Sequence, residues 1–242
     1  MNASYIKDSV VLKPEEEAAH IRIHYPTQTT TEETHKKAGK RYGYRFFKRA
    51  FDIVASFFGM VILSPLFLGV AIAIRLESEG NPIYKQIRIG KDGKSFMFYK
   101  FRSMHKDAEY RRSELIELNE RDGPVFKMTN DPRVTKVGKF IRKTSIDELP
   151  QLFNILLGNM TFVGPRPPLP NEVEQYSDFH FRRLEVKGGL TCYWQINGRS
   201  EVILFNDWVR MDIKYIEERS LWVDFKILMK TFKVVFFGKG AC

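Results

Sequence analysis

The feature that most constrains this chain is an uncharged apolar run of 22 residues at positions 53–74. As one straight helix it would be about 33 Å long, which matches a hydrocarbon core of about 30 Å. A transmembrane helix is therefore the simplest prediction. However, Ser64 and Pro65 lie at its centre. Proline removes a backbone hydrogen bond and bends a helix, and a neighbouring serine can satisfy the freed carbonyl.

The charges on both sides of the run favour a re-entrant hairpin over a single span. Residues 36–49 contain seven basic residues and no acidic ones, and further basic residues follow the run. A basic segment beside an apolar one is typical of contact with anionic lipid headgroups. The positive-inside rule would place both flanks in the cytoplasm, which a hairpin allows and a span does not. Since proline-kinked spanning helices are common, the residues alone leave both topologies open.

The rest of the chain predicts an α/β fold that is mostly helical. We divide it into a polar, flexible tail (1–44), a membrane-associated apolar segment with a proline at its centre (45–76) and a compact domain (77–242). Alternating apolar residues around an Asp-Gly turn predict a small β-hairpin within 82–104. The segment 221–236 is either a core helix or a basic amphipathic helix in the membrane interface. Further helices are predicted over 107–120, 133–142, 149–157, 171–186 and 206–219.

Composition narrows the class of ligand. The formal net charge is +10 and the sequence pI is about 9.5, which suits nucleic acid, an anionic membrane or phosphorylated ligands. The apolar run favours the membrane, and because no recognition motif is present we expect no nucleic-acid binding. Two cysteines make neither a disulfide framework nor a zinc quartet. The first 20 residues lack a continuous apolar stretch, so we expect no cleavable signal peptide.

An adjacent carboxylate pair, Asp147 and Glu148, is the first candidate for chemistry. The spacing from Ser145 to Glu148 also fits a capping box, although Pro150 would then cost a helical hydrogen bond. If Asp147 is the cap instead, Pro150 loses no bond, and Asp147 stands at a helix N-terminus that favours anions. Two neighbouring carboxylates can also bind Mg²⁺ with a substrate diphosphate, and one can attack phosphorus. Simple capping by Asp147 stays an alternative.

Two arginines are candidates for phosphate binding. Arg166 lies between prolines in the segment 164–168, which fixes the backbone and presents a guanidinium able to bind phosphate through two hydrogen bonds. Its alternative is a solvated arginine on a proline-rich surface turn. Arg142 precedes Asp147 by five residues, close enough to share a site. The alternative role of Arg142 is to compensate the dipole at the C-terminal end of a helix.

Seven motifs in order resemble those of bacterial sugar transferases of the monotopic phosphoglycosyl transferase superfamily. The resemblance covers residues 45–242 and is specific because the motifs occur together. Ser103 stands where the family often has threonine, and Cys192 where glycine is frequent. The chain resembles the compact form of the family, with an added polar tail. The motifs are KRAFD (48–52), SP (64–65), YKFRSM (99–104), DPR (131–133), IRKTSIDELPQL (141–152), GPRP (164–167) and GLTCYWQINGR (189–199).

The resemblance implies transfer of a sugar-1-phosphate from a UDP-sugar to polyprenol (undecaprenyl) phosphate, with release of UMP and with Mg²⁺ as cofactor. By the motif match, Asp147 would be the nucleophile of a phosphosugar-aspartyl intermediate and Glu148 its metal or positioning partner, so that both acids contact the metal. The resemblance also implies that residues 45–76, with Ser64-Pro65 at their centre, form a re-entrant helix in the cytoplasmic leaflet of the bacterial plasma membrane. Residues 77–242 would then be a compact cytoplasmic phosphoglycosyl transferase domain, the catalytic domain. Phosphate or nucleotide binding falls to the basic residues of the motifs, Lys100, Arg102, Arg133, Arg142, Arg166 and Arg199.

Other functions stay open at this stage. In direct transfer, Asp147 and Glu148 would only hold Mg²⁺ while the lipid phosphate attacks. In another class, the chain would be a non-catalytic membrane scaffold of a polysaccharide assembly complex. Such a scaffold would be expected to have lost the acidic pair or Arg166, and both are present. Residue types do not determine which sugar is transferred or whether the chain forms a homo-oligomer. They also do not determine whether the pathway is exopolysaccharide, capsule or O-antigen synthesis.

Overall fold

The structure is a computed structural model that describes residues 42–120, 122–126, 128–197 and 204–237. It is mostly helical, as predicted, and has two small sheets, of which only the hairpin was predicted. The α-helices are α1 (Tyr42–Ile62), α2 (Ser64–Glu77), α3 (Lys136–Lys143), α4 (Gln151–Leu157), α5 (Pro170–Val173), α6 (Asp178–Phe181), α7 (Tyr193–Ile196), α8 (Phe205–Glu218) and α9 (Leu221–Phe237). The strands are β1 (Ile83–Ile89), β2 (Ser95–Phe101), β3 (Met160–Val163) and β4 (Gly188–Thr191). Short 3-10 helices span Lys91–Gly93, Tyr110–Leu118, Ile146–Glu148 and Arg182–Glu185.

The apolar run forms α1 and α2, which meet at a bend of 60°. Pro65 cannot donate to the carbonyl of Val61, and the Ser64 hydroxyl donates to that carbonyl at 2.8 Å instead. In the described part of the chain, no helix alone has the length and apolar character to cross a bilayer, whereas the bent α1–α2 pair has both. Many of its large apolar side chains are exposed, including Phe58 and Leu68.

The first turns of α1 are attached to the rest of the protein by polar side chains. Arg49 donates to the carbonyls of Ile155 and Leu156 at the end of α4. The buried Asp52 accepts from the Thr161 hydroxyl at 3.0 Å and from a backbone N–H of β3. Burial raises the pKa of Asp52. The KRAFD motif therefore fixes the apolar helix to α4 and β3.

A buried polar cluster joins α1 to the last two helices. Lys48 pairs with Asp224 of α9 at 2.7 Å, and Tyr44 donates to the same carboxylate at 2.9 Å. The fully buried Tyr215 of α8 lies within hydrogen-bond distance of that carboxylate and of the Val163 carbonyl. One side of α9 thus packs against the core through both polar and apolar residues. Its other side is exposed and carries Trp222, Phe225, Met229 and Phe232. The last helix therefore has both a core-facing side and an exposed apolar side.

The two sheets position the loops of the site. The predicted hairpin is confirmed, with β1 and β2 antiparallel in the register Ile87 opposite Met97. The pair β3–β4 is parallel, with Met160 opposite Gly188, and was not predicted. Apolar side chains from both sheets, α4 and α8 form the core, including Phe98, Ile155 and Val209.

Several helix predictions need correction. The predicted helix 171–186 is broken into α5, α6 and a 3-10 turn, and 107–120 contains a 3-10 helix rather than an α-helix. α4 begins at Gln151 with Pro150 as its N-cap, so Asp147 does not cap it. The helices predicted over 149–157, 206–219 and 221–236 are confirmed with small shifts. Residues 1–41 lie outside the described residues, and α1 already begins at Tyr42.

Candidate active site

The acidic pair lies on a single 3-10 turn, Ile146–Glu148, between α3 and α4. Ser145 precedes this turn in the left-handed conformation, with φ of 57°, which redirects the chain. No side-chain hydrogen bond caps the turn, so neither predicted cap is formed. Ile146 packs into the cluster around Phe101, and the two acids are left half-buried. The turn therefore presents two adjacent carboxylates beside the end of β2.

Arg166 lies on a loop, residues 164–168, that we call the arginine loop. Its backbone carbonyls are held from beneath: Arg183 donates to that of Arg166, and Arg88 to that of Pro167. The carbonyls of Pro165 and Pro168 accept from the backbone N–H groups of Gly189 and Ile89. Four consecutive carbonyls are thus satisfied, which fixes the backbone that carries the Arg166 side chain.

Close backbone packing adds to this support. A Cβ on Gly189 would lie 2.1 Å from the backbone nitrogen of Gly164, and one on Gly188 would lie 2.4 Å from Cγ of Pro167. Only glycine fits at these positions, because larger residues would separate the loop from β4. Gly188 and Gly189, the first two residues of β4, therefore support the arginine loop.

The acidic turn and the arginine loop face each other. The Arg166 Nη1 and the Glu148 Oε1 are 3.8 Å apart, and both side chains are partly exposed. At that exposure the pair contributes little to stability, and both groups can reorient towards a ligand. Lys100 lies close enough to Asp147, Arg142 and Arg166 to interact electrostatically with each of them. The structure therefore brings together five of the predicted site residues, Lys100, Arg142, Asp147, Glu148 and Arg166.

Burial and the repulsion of neighbouring arginines lower the pKa of Lys100 to about 8. Arg88 is the strongest of these neighbours, while Asp147 acts in the opposite direction. The site thus holds more positive charge than its own carboxylates compensate. An anionic ligand would relieve that repulsion, as expected of a phosphate site.

A cavity of about 520 Å³ opens beside Lys100 and Arg166. Its volume is within the range of sites that bind small molecules and cofactors. Its walls carry cations from β1 and β2, acids such as Glu172, and apolar surface from Phe126 and Trp208. Such a mixture suits a ligand with a charged part and a planar or sugar-like part.

Buried residues beneath the cavity were not found by sequence reasoning. Arg183 pairs with Asp212 at 2.7 Å and donates to the hydroxyl of Tyr176, with both charged side chains nearly inaccessible. Burial raises the pKa of Asp212 to about 6, against the opposing effect of Arg183. Arg88 is equally buried beneath Pro167. The charged residues within otherwise apolar segments are the one signal that could have identified them.

The remaining predicted residues hold the walls of the cavity. Arg102 donates to the carbonyls of Ser78 and Glu79, so it fixes the turn after α2. Arg133 is buried against Asp131 at 2.7 Å and donates to a nearby carbonyl. Both line the cavity, but their charged groups already have protein partners. Arg199 lies outside the described residues.

The donor set at the acidic turn fits Mg²⁺. Asp147 and Glu148 supply hard carboxylate oxygens on one turn, next to a cationic surface that can hold a phosphate. Among the described residues, no three His, Cys, Asp or Glu side chains converge as a complete metal cage. Mg²⁺ commonly binds through one or two carboxylates, with the substrate phosphates and water supplying its other ligands. The pair is therefore suited to a metal that arrives with a phosphorylated substrate.

Comparison with known proteins gives concordant matches. A family model described as bacterial sugar transferase matches residues 43–238. The chain is 45% identical over 202 residues to a galactosyl transferase CpsE from Streptococcus agalactiae, covering 83% of this chain and 44% of the relative. It is 44% identical over 205 residues to an undecaprenyl-phosphate galactose phosphotransferase from Salmonella typhimurium, covering 81% and 42%.

A shorter relative is matched over most of its length. It is the exopolysaccharide production protein ExoY from Rhizobium meliloti, 38% identical over 198 residues, which are 80% of this chain and 87% of the relative. By contrast, the matched regions span less than half of the two transferases named above. The region covered by the family model includes both the acidic turn and the arginine loop.

Proposed function

Because this chain belongs to the bacterial sugar transferase family, we propose that it transfers a sugar-1-phosphate from a UDP-sugar to undecaprenyl phosphate and releases UMP. Relatives named as undecaprenyl-phosphate galactose and UDP-glucose transferases support this donor and acceptor. The observation that carries the proposal is the adjacent Asp147–Glu148 pair facing Arg166, which is 3.8 Å from Glu148. A candidate nucleophile thus lies next to the cation, Arg166, that lines the cavity.

We propose a reaction in two displacements. The Asp147 carboxylate attacks the phosphorus that carries the sugar, forming an Asp–O–P bond while the bond to the bridging oxygen breaks and UMP leaves. A phosphate oxygen of the lipid then attacks the same phosphorus, and the Asp–O–P bond breaks. The products are a lipid diphosphate sugar and the free carboxylate. Each displacement forms one P–O bond and breaks one.

The cations make attack by an anion on an anion feasible. Arg166 can bind the phosphoryl oxygens through two hydrogen bonds from a fixed backbone, and Lys100 adds a second positive charge. Mg²⁺ bound by Asp147 and Glu148 would neutralise charge on the diphosphate and on the leaving UMP. Glu148 would orient its neighbour relative to the donor.

We place the enzyme on the cytoplasmic leaflet of the bacterial plasma membrane. The 60° bend between α1 and α2, with Ser64 satisfying the Val61 carbonyl, supports a re-entrant hairpin over a straight span. Exposed aromatic side chains on α1 and on one side of α9 would enter the same leaflet. This arrangement brings the cavity to the membrane surface, where the polyprenol phosphate headgroup lies. The lipid-linked sugar would then be used in polysaccharide synthesis.

UMP release from a panel of UDP-sugars is the direct test. The assay uses detergent-solubilised protein with undecaprenyl phosphate and Mg²⁺, and compares Asp147→Asn with Asp178→Asn, an exposed acid on α6. We expect lipid-dependent UMP from one donor, reduced by more than about 10⁴-fold in Asp147→Asn and unchanged in Asp178→Asn. Turnover retained in Asp147→Asn would eliminate Asp147 as the nucleophile. No UMP from any donor would favour the scaffold.

A trapping experiment separates the two-displacement route from direct transfer. Wild-type protein incubated with donor, but without acceptor lipid, should gain the mass of one sugar-phosphate on the peptide that contains Asp147. In direct transfer that adduct does not form, although Asp147→Asn still loses activity because a metal ligand is removed. The adduct therefore decides between the routes where the substitution alone cannot.

A further inference from the structure

A second cavity, of about 310 Å³, lies at the base of α1 and shares no lining residue with the first. It is formed where the first turns of α1 meet β3, the segment before β4, and the end of α8. Of its lining side chains, six are cationic and two are acidic. The cationic residues are Arg45, Lys48, Arg49, Lys91, Lys187 and Arg219.

Structural partners account for only part of this charge. Lys48 and Arg49 are used in holding α1, as described above, and the acids Asp52 and Glu185 already have hydrogen-bond or ion-pair partners. Across the described parts of the chain, neither Arg45 nor the Lys187 ammonium makes a hydrogen bond or an ion pair. Within the described residues, these two cations thus line the cavity with no direct hydrogen bond or ion pair to a protein anion, although Asp52 interacts with Lys187 electrostatically.

The cations also converge. A Cβ on Gly158, at the end of α4, would lie 3.1 Å from Nη2 of Arg49 and 3.5 Å from Nζ of Lys187. Burial and the nearby Arg49 lower the pKa of Lys187, although Asp52 acts against them. Packing two cationic groups at one point is unfavourable unless an anion joins them. The cavity is therefore chemically complementary to a compact anion.

The surroundings of the cavity indicate where such an anion comes from. The same turns of α1 expose Phe46 at 70%, Phe47 at 60% and Phe51 at 50% on the sides that do not line it. A ligand whose charged group enters the cavity can therefore extend apolar chains along α1. A soluble anion would gain nothing from these aromatic side chains.

We propose that the cavity at the base of α1 binds the phosphate of an anionic phospholipid headgroup, with Arg45 and Lys187 as its direct ligands and the acyl chains against α1. The site is separate from the proposed catalytic cavity, and its occupancy needs no sugar donor. A bound lipid there would hold α1 at a fixed depth and angle. The inference uses the proposed membrane attachment of α1 but not the transfer chemistry.

Native mass spectrometry of the full chain in a neutral detergent tests the site. Phosphatidylglycerol and phosphatidylcholine are titrated separately, because they share acyl chains and differ in net headgroup charge. We expect preferential binding of phosphatidylglycerol, weakened about fivefold by Arg45→Gln and by Lys187→Gln. Arg45→Lys and Lys187→Arg should restore it. The matched control is Lys230→Gln, which removes one charge from the exposed surface of α9.

Three results would overturn the proposal. One is equal weakening by Lys230→Gln, which would reduce the effect to general surface charge. Another is displacement of phosphatidylglycerol by millimolar inorganic phosphate, which would make the ligand a free anion. The third is that Arg45→Gln and Lys187→Gln weaken binding of a short prenyl phosphate but not binding of phosphatidylglycerol, which would assign the cavity to the acceptor lipid. Two separate measurements test the proposed function itself. Recovery of the wild type in the membrane fraction tests membrane attachment, and UMP release tests transfer.

Discussion

The acidic turn and the arginine loop face each other across the candidate site, but different forces hold them in place. The arginine loop has four consecutive carbonyls satisfied, two of them by the buried cations Arg88 and Arg183. The acidic turn has no side-chain cap and depends on the left-handed Ser145 and on the packing of Ile146. One half of the site is fixed by buried polar contacts, and the other by backbone conformation.

This difference separates residues that contact a substrate from residues that position them. Arg166 can reorient from Glu148 towards a ligand because its side chain is partly exposed, while the backbone beneath it cannot move. The acidic turn lacks a side-chain cap and leaves both carboxylates half-buried, so these can adjust to a metal and a diphosphate. Substitutions beneath the loop should therefore affect stability first, and substitutions in the turn should affect turnover first.

The largest effect on stability is expected from Asp212→Ala. It leaves Arg183 buried and uncompensated beneath the arginine loop, because the 2.7 Å ion pair between two inaccessible side chains is lost. Breaking such a pair costs about 3–5 kcal/mol. Chemical denaturation should show that loss in the free energy of unfolding, and turnover of the remaining folded enzyme should fall as the Arg166 backbone loosens.

The matched control for that prediction lies on the same helix. Asp207 pairs with Arg210 at 3.1 Å, but both side chains are well exposed. Asp207→Ala should change the free energy of unfolding by less than about 1 kcal/mol. If Asp212→Ala and Asp207→Ala cost the same, the arginine loop is not held by the buried pair.

Sequence reasoning succeeded where local signals dominate. The hairpin was predicted from alternation and an Asp-Gly turn, and the bend from Ser64-Pro65; the family followed from motifs in order and is confirmed by the family model. It failed where contacts are distant in sequence. Arg183 meets Asp212 across 29 positions, and the cap at Asp147 was displaced by tertiary packing of the turn. The roles assigned to the site residues stay predictions.

A smaller effect, on pH dependence, is expected from Lys100, which lies between the two halves of the site. Its pKa of about 8 is below the ordinary value of 10.5, so its positive charge is lost as the pH rises through 8. Because a diphosphate donor needs that charge, kcat/KM for the donor should fall above pH 8. Lys100→Arg keeps the charge and should move the fall to higher pH. Lys139→Arg, an exposed lysine on α3, should keep the wild-type profile. An unchanged profile in Lys100→Arg would remove Lys100 from donor binding.

The smallest effect is expected from Ser145→Gly, which tests whether backbone conformation holds the acidic turn. Ser145 has a φ of 57°, a conformation that costs a non-glycine residue about 1–2 kcal/mol, whereas glycine adopts it freely but loses more entropy on folding. We therefore expect a change within about 1 kcal/mol in the free energy of unfolding. Asp92→Gly is the control, because Asp92 has the same φ in the hairpin turn. Both variants should show the same small change in stability, but only Ser145→Gly should lower turnover, since it loosens the carboxylates of the acidic turn. Clear destabilisation by Ser145→Gly alone would show that the serine side chain, rather than the backbone, holds the turn.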